Sequence, residues 1–234
     1  MHRDEPYPKI ALVKSFYIID GHYQIYRAFY GLQQPLSSPT GEPTGATHLF
    51  CAMLFGLIRD KKPDYLAMVM DVSDETVFRR EIASDYKAHR DPAPEALGIQ
   101  ADRIVTIVQA LGVPIYRKPG FEADDLMATI VERLRDDDVM IYLVSRDKDL
   151  DQLLSDRVRL LDPTTGEFTD PPRLLEKKGY LPDKAVEIQT LVGDSTDNVR
   201  GVTGVGPKTA VKLIAQYGSA AETIAHADEQ TPKL

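Results

Sequence analysis

Five short apolar runs, at 16–20, 65–71, 113–117, 139–145 and 158–162, divide the chain, each bounded by Gly, Pro or acidic turn residues. Four of the five are continuous rather than alternating in hydrophobicity, which predicts strands covered on both faces and hence a mostly parallel sheet. Between them lie longer stretches with apolar residues three and four apart, at 47–61, 99–111, 124–135 and 183–192, which predict helices. The alternation specifies an α/β fold, a mostly parallel twisted central sheet flanked by helices. From Gly193 the composition shifts to Gly, Thr and Lys with no further strand expected, so an α/β domain over 1–192 and a small helical subdomain over 193–234 are predicted. The stretch 35–47, rich in Ser, Pro, Thr and Gly, reads as a loop leading into a helix. The charged stretch 73–98, with two prolines near its middle and no clean apolar face, reads as an exposed excursion.

With 234 residues, 43% apolar and 27% charged, the chain can bury a sizeable core and is neither disordered nor fibrous. No apolar run approaches the roughly 20 residues that cross a bilayer, so no membrane partner is expected. Residues 1–9 lack the apolar core of a signal peptide, and the single cysteine, Cys51, excludes an internal disulfide framework. A reducing cytoplasm is the expected location. Cys51 falls inside a predicted helix and reads as a small buried apolar residue. The net charge of −8 argues against nucleic-acid binding through charge spread over the whole surface.

The acids are not scattered. Asp20 and Asp71 end the first two strands, Asp147 and Asp149 follow the fourth, and Glu122, Asp124 and Asp125 open the helix after the third. In a parallel sheet the carboxyl ends of the strands share one edge, where such folds bind ligands, so these seven acids should converge. Asp194 and Asp197, in a Gly/Ser/Thr loop, can face the same edge from the side. So many carboxylates in one cleft raise each other's pKa unless protons or metal ions neutralise them. Oxygen ligands without His or Cys favour Mg2+ or Mn2+ over zinc, and their spread suits two cations about 4 Å apart, as in phosphodiester hydrolysis. Taken singly, Glu122, Asp124 and Asp125 also read as complements of a helix dipole, Asp147 and Asp149 as a turn and an N-cap, and Asp194 and Asp197 as loop polar residues. With these nine acids set aside, the rest of the chain carries +1, so the surplus negative charge belongs to this one site.

Two basic features accompany the acids. The stretch 78–90 contains Arg79, Arg80, Lys87 and Arg90 against two acids, and Tyr86 among them is an aromatic that can stack on a base. A solvated charged helix is the other reading of that stretch. In Gly201-Val-Thr-Gly204-Val-Gly206-Pro-Lys208-Thr209, a glycine turn opens onto a helix N-terminus whose amides can hold a phosphate, with Lys208, Thr209 and Lys212 beside it. A nucleotide-triphosphatase phosphate loop is excluded, because Pro207 separates Gly206 from Lys208 and no strand precedes. His22 reads as a structural histidine beside Asp20.

Ile-Ile-Asp-Gly-His at 18–22, Tyr-Lys-Ala-His-Arg at 86–90, Gly-Phe-Glu-Ala-Asp-Asp at 120–125, Asp-Lys-Asp-Leu at 147–150 and Leu-Val-Gly-Asp-Ser-Thr-Asp-Asn at 191–198 recur here in one order, running into the glycine segment. The sequence thereby resembles the 5'-nuclease domain of bacterial DNA polymerase I and its stand-alone exonuclease relatives, within the flap endonuclease superfamily, over nearly the whole chain. The resemblance implies a PIN/flap-endonuclease-like sheet with a helical arch, here 73–98, and a C-terminal helix-three-turn-helix subdomain. It implies a Mg2+-dependent, two-metal 5'-3' exonuclease or flap endonuclease acting on DNA with 5' ends, flaps or branches, as in primer and flap removal during replication and repair. A DNA polymerase in cis or in trans is an implied partner. By motif, Asp20, Asp71, Glu122, Asp124 and Asp125 resemble the ligands of one metal or of its water shell, and Asp147, Asp149, Asp194 and Asp197 those of the other. Lys87 and Arg90 resemble the arch-foot residues that steady the scissile phosphate, with Tyr86 beside them. The glycine segment resembles a duplex-backbone clamp that can also take K+ through its carbonyls. Two departures stand out: Asp151 stands where the family usually has an uncharged, often aromatic residue, and the sequence stops at Leu234 where family members continue through further helices, which reads either as a fragment or as a naturally short form, with a truncated C-terminal subdomain. Other readings are a PIN-type ribonuclease, which usually lacks the arch and the glycine hairpin, and a DNA-binding scaffold without catalysis.

Overall fold

The computed structural model describes residues 13–229 except 33, 35 and 73–76. The expectations for residues 1–9, for the last three residues and for 73–76 of the excursion lie outside the described residues.

Strand β1 (Lys14–Asp20) is the centre of a six-stranded sheet. Its last four residues are buried because strands lie on both sides and helices on both faces. Beside it run β2 (Tyr65–Val69) and β4 (Val139–Val144), both parallel to it. The short β3 (Ile115–Tyr116) extends the sheet beyond β2, and β5 (Val158–Leu161) extends it beyond β4. A sixth strand not read from the sequence, β6 (Phe168–Thr169), pairs antiparallel with β5. The order is β3-β2-β1-β4-β5-β6.

Helix α1 (Gly21–Tyr30) follows β1 without a loop, and the Asp20 side chain caps it by accepting from the Tyr23 amide at 3.1 Å. The abrupt turn requires glycine at 21, since a Cβ there would come 2.9 Å from the Val69 carbonyl oxygen. Helices α1, α2 (Gly45–Lys61) and α4 (Glu95–Ala110) cover one face of the sheet, with Phe50, Leu54 and Ile104 fully buried. The single turn α3 (Arg79–Ile82) lies between α2 and α4 in sequence. On the other face, α5 (Ala123–Arg133), a 3-10 helix (Lys148–Leu153) and α6 (Pro171–Lys178) pack through Met127, Leu150 and Leu174. Helices α7 (Ala185–Val192), α8 (Pro207–Tyr217) and α9 (Ala220–Ala225) form a third cluster around Leu191, Ala210 and Ile214. Among the described residues no helix is long and apolar enough to cross a membrane.

Two expectations need correction. No strand was expected after Gly193, yet Gly193–Asp194 (β7) and Val199–Arg200 (β8) form a short antiparallel pair. The excursion is not wholly exposed: Tyr86 and Lys87 are buried against the carboxylate edge, and the stretch ends inside α4. The His22 Nδ1 lies 3.7 Å from Asp71 Oδ2, and its ring stacks on Tyr26. Cys51 is half-buried on α2, where burial raises its thiol pKa.

Candidate active site

Strand register assembles the acids. Asp20 pairs with Val69, and Ile19 with Val144, so the ends of β1, β2 and β4 are level. Asp20, Asp71 and Asp147 therefore leave the sheet at the same edge. Buried Asp20 accepts from the Ser145 hydroxyl at 3.0 Å, and that hydroxyl in turn accepts from the Asp147 amide at 3.1 Å. Burial, reinforced by the charges of Asp71 and Asp147, pushes the Asp20 carboxyl up to about 7 against two lowering hydrogen bonds. Asp71 accepts from the Ala123 amide, which ties β2 to the start of α5.

The second group surrounds that helix start. Glu122 is its N-cap, and the Glu122 amide donates to Asp125 Oδ2 at 2.9 Å. Arg79 grips Asp125 through two hydrogen bonds of 2.7 and 2.9 Å, so both Asp125 oxygens are engaged. Burial would raise the Asp125 carboxyl, but the Arg79 bonds and the Glu122 amide outweigh it and hold it below the usual range. Asp124 is pushed up to about 6, chiefly by burial, with Arg79 opposing. Buried Glu122 receives the Lys87 ammonium at 2.5 Å and the Tyr86 hydroxyl at 2.9 Å.

A third group forms where β7 meets the 3-10 helix. One carboxylate oxygen each from Asp149, Asp194 and Asp197 lies within 4.8 Å of the others, a set able to hold a metal ion. Burial, then the charges of Asp147 and Asp194, push Asp149 up to about 6. Asp194 stays below the usual range despite burial, because Lys148 and the Thr196 amide hydrogen-bond to it. Asp197 receives Arg90 at 2.7 Å. The Tyr86 hydroxyl also lies 2.9 Å from Asp197 and bridges the second and third groups. A cleft of about 300 Å³ opens among Arg79, Asp124, Lys148, Asp149, Asp194 and Asp197. An all-oxygen donor set, with three of its carboxyls raised in pKa chiefly by burial, fits divalent metal ions.

Not every residue singled out in the sequence sits as expected. Tyr86 is 7% exposed and its hydroxyl is held between two carboxylates, so its ring offers no open face for a base. Arg80 is half-buried, and its Nε finds no hydrogen-bond partner among the described residues. Gly201 packs against backbone, since a Cβ there would lie 2.1 Å from the Val192 carbonyl oxygen. Gly204 adopts φ 85°, Gly206 is the open N-cap of α8, and Lys208 and Lys212 are exposed with Thr209 half-buried. This segment is anchored by Val205 and Ala210 in the cluster that includes α7, the helix leading to Asp194. Three contributors escaped sequence reading. Gln189 donates to Asp149 at 2.8 Å, Ser145 to Asp20, and Lys148 pairs with Asp194 at 3.1 Å. Only Lys148, lying between two singled-out aspartates, carried a sequence signal.

Residues 15–179 match the model of the 5'-3' exonuclease N-terminal resolvase-like domain, and residues 180–234 that of the 5'-3' exonuclease C-terminal SAM fold. The 5'-3' exonuclease of Aquifex aeolicus is 41% identical over 207 residues, covering 88% of this chain and 71% of that protein. DNA polymerase I of Mycobacterium tuberculosis is 38% identical over 223 residues, covering 93% of this chain but only 24% of the polymerase. In fold, the chain is similar to a bacteriophage T5 D15 flap endonuclease variant solved as a pseudo-enzyme-product complex with DNA and metal ions. The TM-score is 0.72 at 22% identity, covering 94% of this chain and 81% of that one.

Proposed function

The chain belongs to the 5'-3' exonuclease family, and from that premise we propose that it hydrolyses DNA phosphodiester bonds near 5' ends, flaps and branches with the aid of two Mg2+ or Mn2+ ions. The observation that carries this is the gathering of carboxylates from three strand ends, the start of α5 and the β7–β8 turn along one edge of the sheet, with Lys87 and Arg90 ion-paired among them. Asp20, Asp71, Glu122, Asp124 and Asp125 would hold one cation, and Asp147, Asp149, Asp194 and Asp197 the other. Bound there, such ions supply the Lewis acidity that phosphodiester hydrolysis needs at neutral pH.

The chain's own groups do the rest. Lys87 and Arg90 would hold non-bridging oxygens of the scissile phosphate, a role supported by their ion pairs with Glu122 and Asp197, among the carboxylates that would flank it. Ser145 and Gln189 fix the orientation of Asp20 and Asp149 by hydrogen bonding. The amides at the start of α8, with Lys208 and Lys212, suit a duplex phosphate held without reading sequence, and K+ is a candidate ligand of the preceding carbonyls. A DNA polymerase, in cis or in trans, is the partner that primer or flap removal implies, and DNA as substrate places the work in the cytoplasm.

Replacing Asp71 or Asp149 by Asn tests the proposal on a labelled 5'-flap duplex in Mg2+, with and without EDTA. Cleavage is expected to fall by at least about a hundredfold in either variant and to vanish with EDTA. Undiminished cleavage in both variants overturns it.

A further inference from the structure

Beside the carboxylates lies an aromatic surface that the proposed hydrolysis does not use. Phe78 and Phe121 are each 37% exposed, and their ring centroids lie 5.7 Å apart at an interplanar angle of 51°. The two loops that carry them are locked together, because the Phe78 amide donates to the Gly120 carbonyl at 3.1 Å. The Arg79 guanidinium lies 5.0 Å from the Phe78 centroid, and the Lys118 ammonium 4.8 Å from that of Phe121. Both rings adjoin the site in sequence. Phe78 precedes Arg79, which is fastened to Asp125, and Phe121 precedes Glu122.

A half-exposed aromatic pair beside a charged cleft is poorly served by water and has no covering element among the described residues. Its surroundings select the occupant. Apart from Arg79, which Asp125 already holds, the stretches 77–82 and 117–121 carry Arg80, Arg117 and Lys118 against the single acid Glu81, which suits a polyanion. Exposed Lys118 makes no ion pair among the described residues, so its ammonium can turn from the ring to a phosphate. An occupant with both flat π faces and phosphates is single-stranded nucleic acid, whose bases stack on aromatic rings whatever the sequence. Tyr86, the aromatic that the sequence offered for this role, is closed off by its two carboxylate partners.

We propose that Phe78 and Phe121 form a stacking platform for an unpaired base of the DNA strand entering the cleft, with Lys118 on the adjoining phosphate. The platform rests on the reading of the chain as a DNA nuclease and adds to it a preference for base-bearing single strands. It recognises the presence of a base rather than its identity.

The test compares two 5'-flap duplexes, identical except that the unpaired nucleotides of one are abasic, binding to the unaltered protein and to Phe121→Leu and Phe78→Leu in Ca2+. Leucine keeps an apolar contact with the neighbouring ring and removes the π face. The unaltered protein should bind the base-bearing flap about tenfold more tightly, and the variants should bind both flaps alike. A 2-aminopurine in the unpaired strand should be quenched by the unaltered protein and not by the variants. Equal affinity of the unaltered protein for the two flaps overturns the platform even if neither variant folds. Cleavage of both flaps in Mg2+ at one rate, with equal affinity, overturns the platform alone, whereas no cleavage of any DNA overturns the nuclease reading and the platform with it.

Discussion

Lys87 Nζ lies 2.5 Å from Glu122 Oε1 with both side chains buried, so the base of the segment after α3 is pinned to the carboxylate edge by a desolvated ion pair. Lys87 reaches this position in a left-handed backbone conformation, φ 53°, which its amide secures by donating to the Asp197 carbonyl at 3.0 Å. Arg79 on Asp125 and Arg90 on Asp197 repeat the pattern on either side. The same carboxylates thus serve two cationic partners, the chain's own side chains and the divalent ions proposed for them, and the segment's position is coupled to how they are shared.

Lys87→Met removes the ammonium and keeps much of the apolar stem. If Lys87 holds the scissile phosphate, kcat on a 5'-flap at saturating Mg2+ falls by about a hundredfold. Lys87→Arg restores it only in part, because the guanidinium fork cannot occupy a site shaped for a point charge. Single-turnover rates for the three proteins check this, and a Lys87→Met rate within twofold of the unaltered protein removes Lys87 from the mechanism.

The raised carboxyls set a pH dependence. Asp20 near 7, and Asp124 and Asp149 near 6, all lie above the ordinary carboxylate value of 3.8, chiefly through burial. Their contribution to stability is complete below about pH 4 and is lost as pH rises through 6 to 7, because the unfolded chain ionises them first. Asp125 and Asp194, held low by their partners, act in the opposite sense and lose their contribution only as pH falls below the carboxylate range. Between pH 5 and 7 the metal-free protein should therefore lose melting temperature. Divalent ions favour the ionised forms, so their binding at pH 6 should release roughly one to two protons per chain. Calorimetry in two buffers of different ionisation enthalpy measures this, and binding without proton release contradicts it.

Continuous apolar runs made the five parallel strands legible, and the aspartates at their ends followed from strand direction alone. Helix α1 was not legible, because its buried face consists of Gly21, Gln24, Ile25 and Ala28, and only one of these is strongly apolar. Strands β6 and β7–β8 are two residues each, too short to show alternation. At the site, acids declare themselves by position, but their partners do not. Gln189 sits on an otherwise ordinary helix, and nothing in Tyr-Lys-Ala-His-Arg says that Tyr86 turns inward while its neighbour Phe78 region stays open. Those choices follow from which desolvated carboxylates need a donor, a tertiary property.

Asp151 tests how the site is supported. It is 1% exposed, and one oxygen receives both the Lys178 ammonium and the Tyr180 hydroxyl, at 2.5 and 2.8 Å, while the other has no partner among the described residues. These bonds join the 3-10 helix carrying Asp149 to the connection leading toward α7. Asp151→Asn keeps the shape and removes the charge. Because Lys178 is 40% exposed and can return to water, the expected loss is modest, about 1 kcal/mol. Urea unfolding of both proteins measures it, and a gain in stability would show that the orphaned oxygen outweighs the clasp.

Two glycines, Gly193 and Gly206, separate structural from contact roles. Gly193 has φ 73°, and a Cβ there would come 2.2 Å from the Gly201 amide nitrogen and 2.7 Å from the Val199 carbonyl oxygen. Neither backbone atom can yield without parting β7 from β8, and that pair sets where Asp194 and Asp197 point. Gly193→Ala should therefore cost at least about 2 kcal/mol and weaken divalent-ion binding, because two of the three clustered carboxylates move. Gly206 has an ordinary backbone angle and nothing within 4 Å of a Cβ, so Gly206→Ala should leave melting temperature and ion affinity nearly unchanged. Any effect of Gly206→Ala should instead appear as weaker duplex binding, since a methyl group there crowds a phosphate approaching the first amides of α8. Unfolding, calorimetric Mn2+ titration and duplex affinity, measured side by side, separate the two. If Gly193→Ala keeps full Mn2+ affinity, the β7–β8 turn does not position the metal ligands.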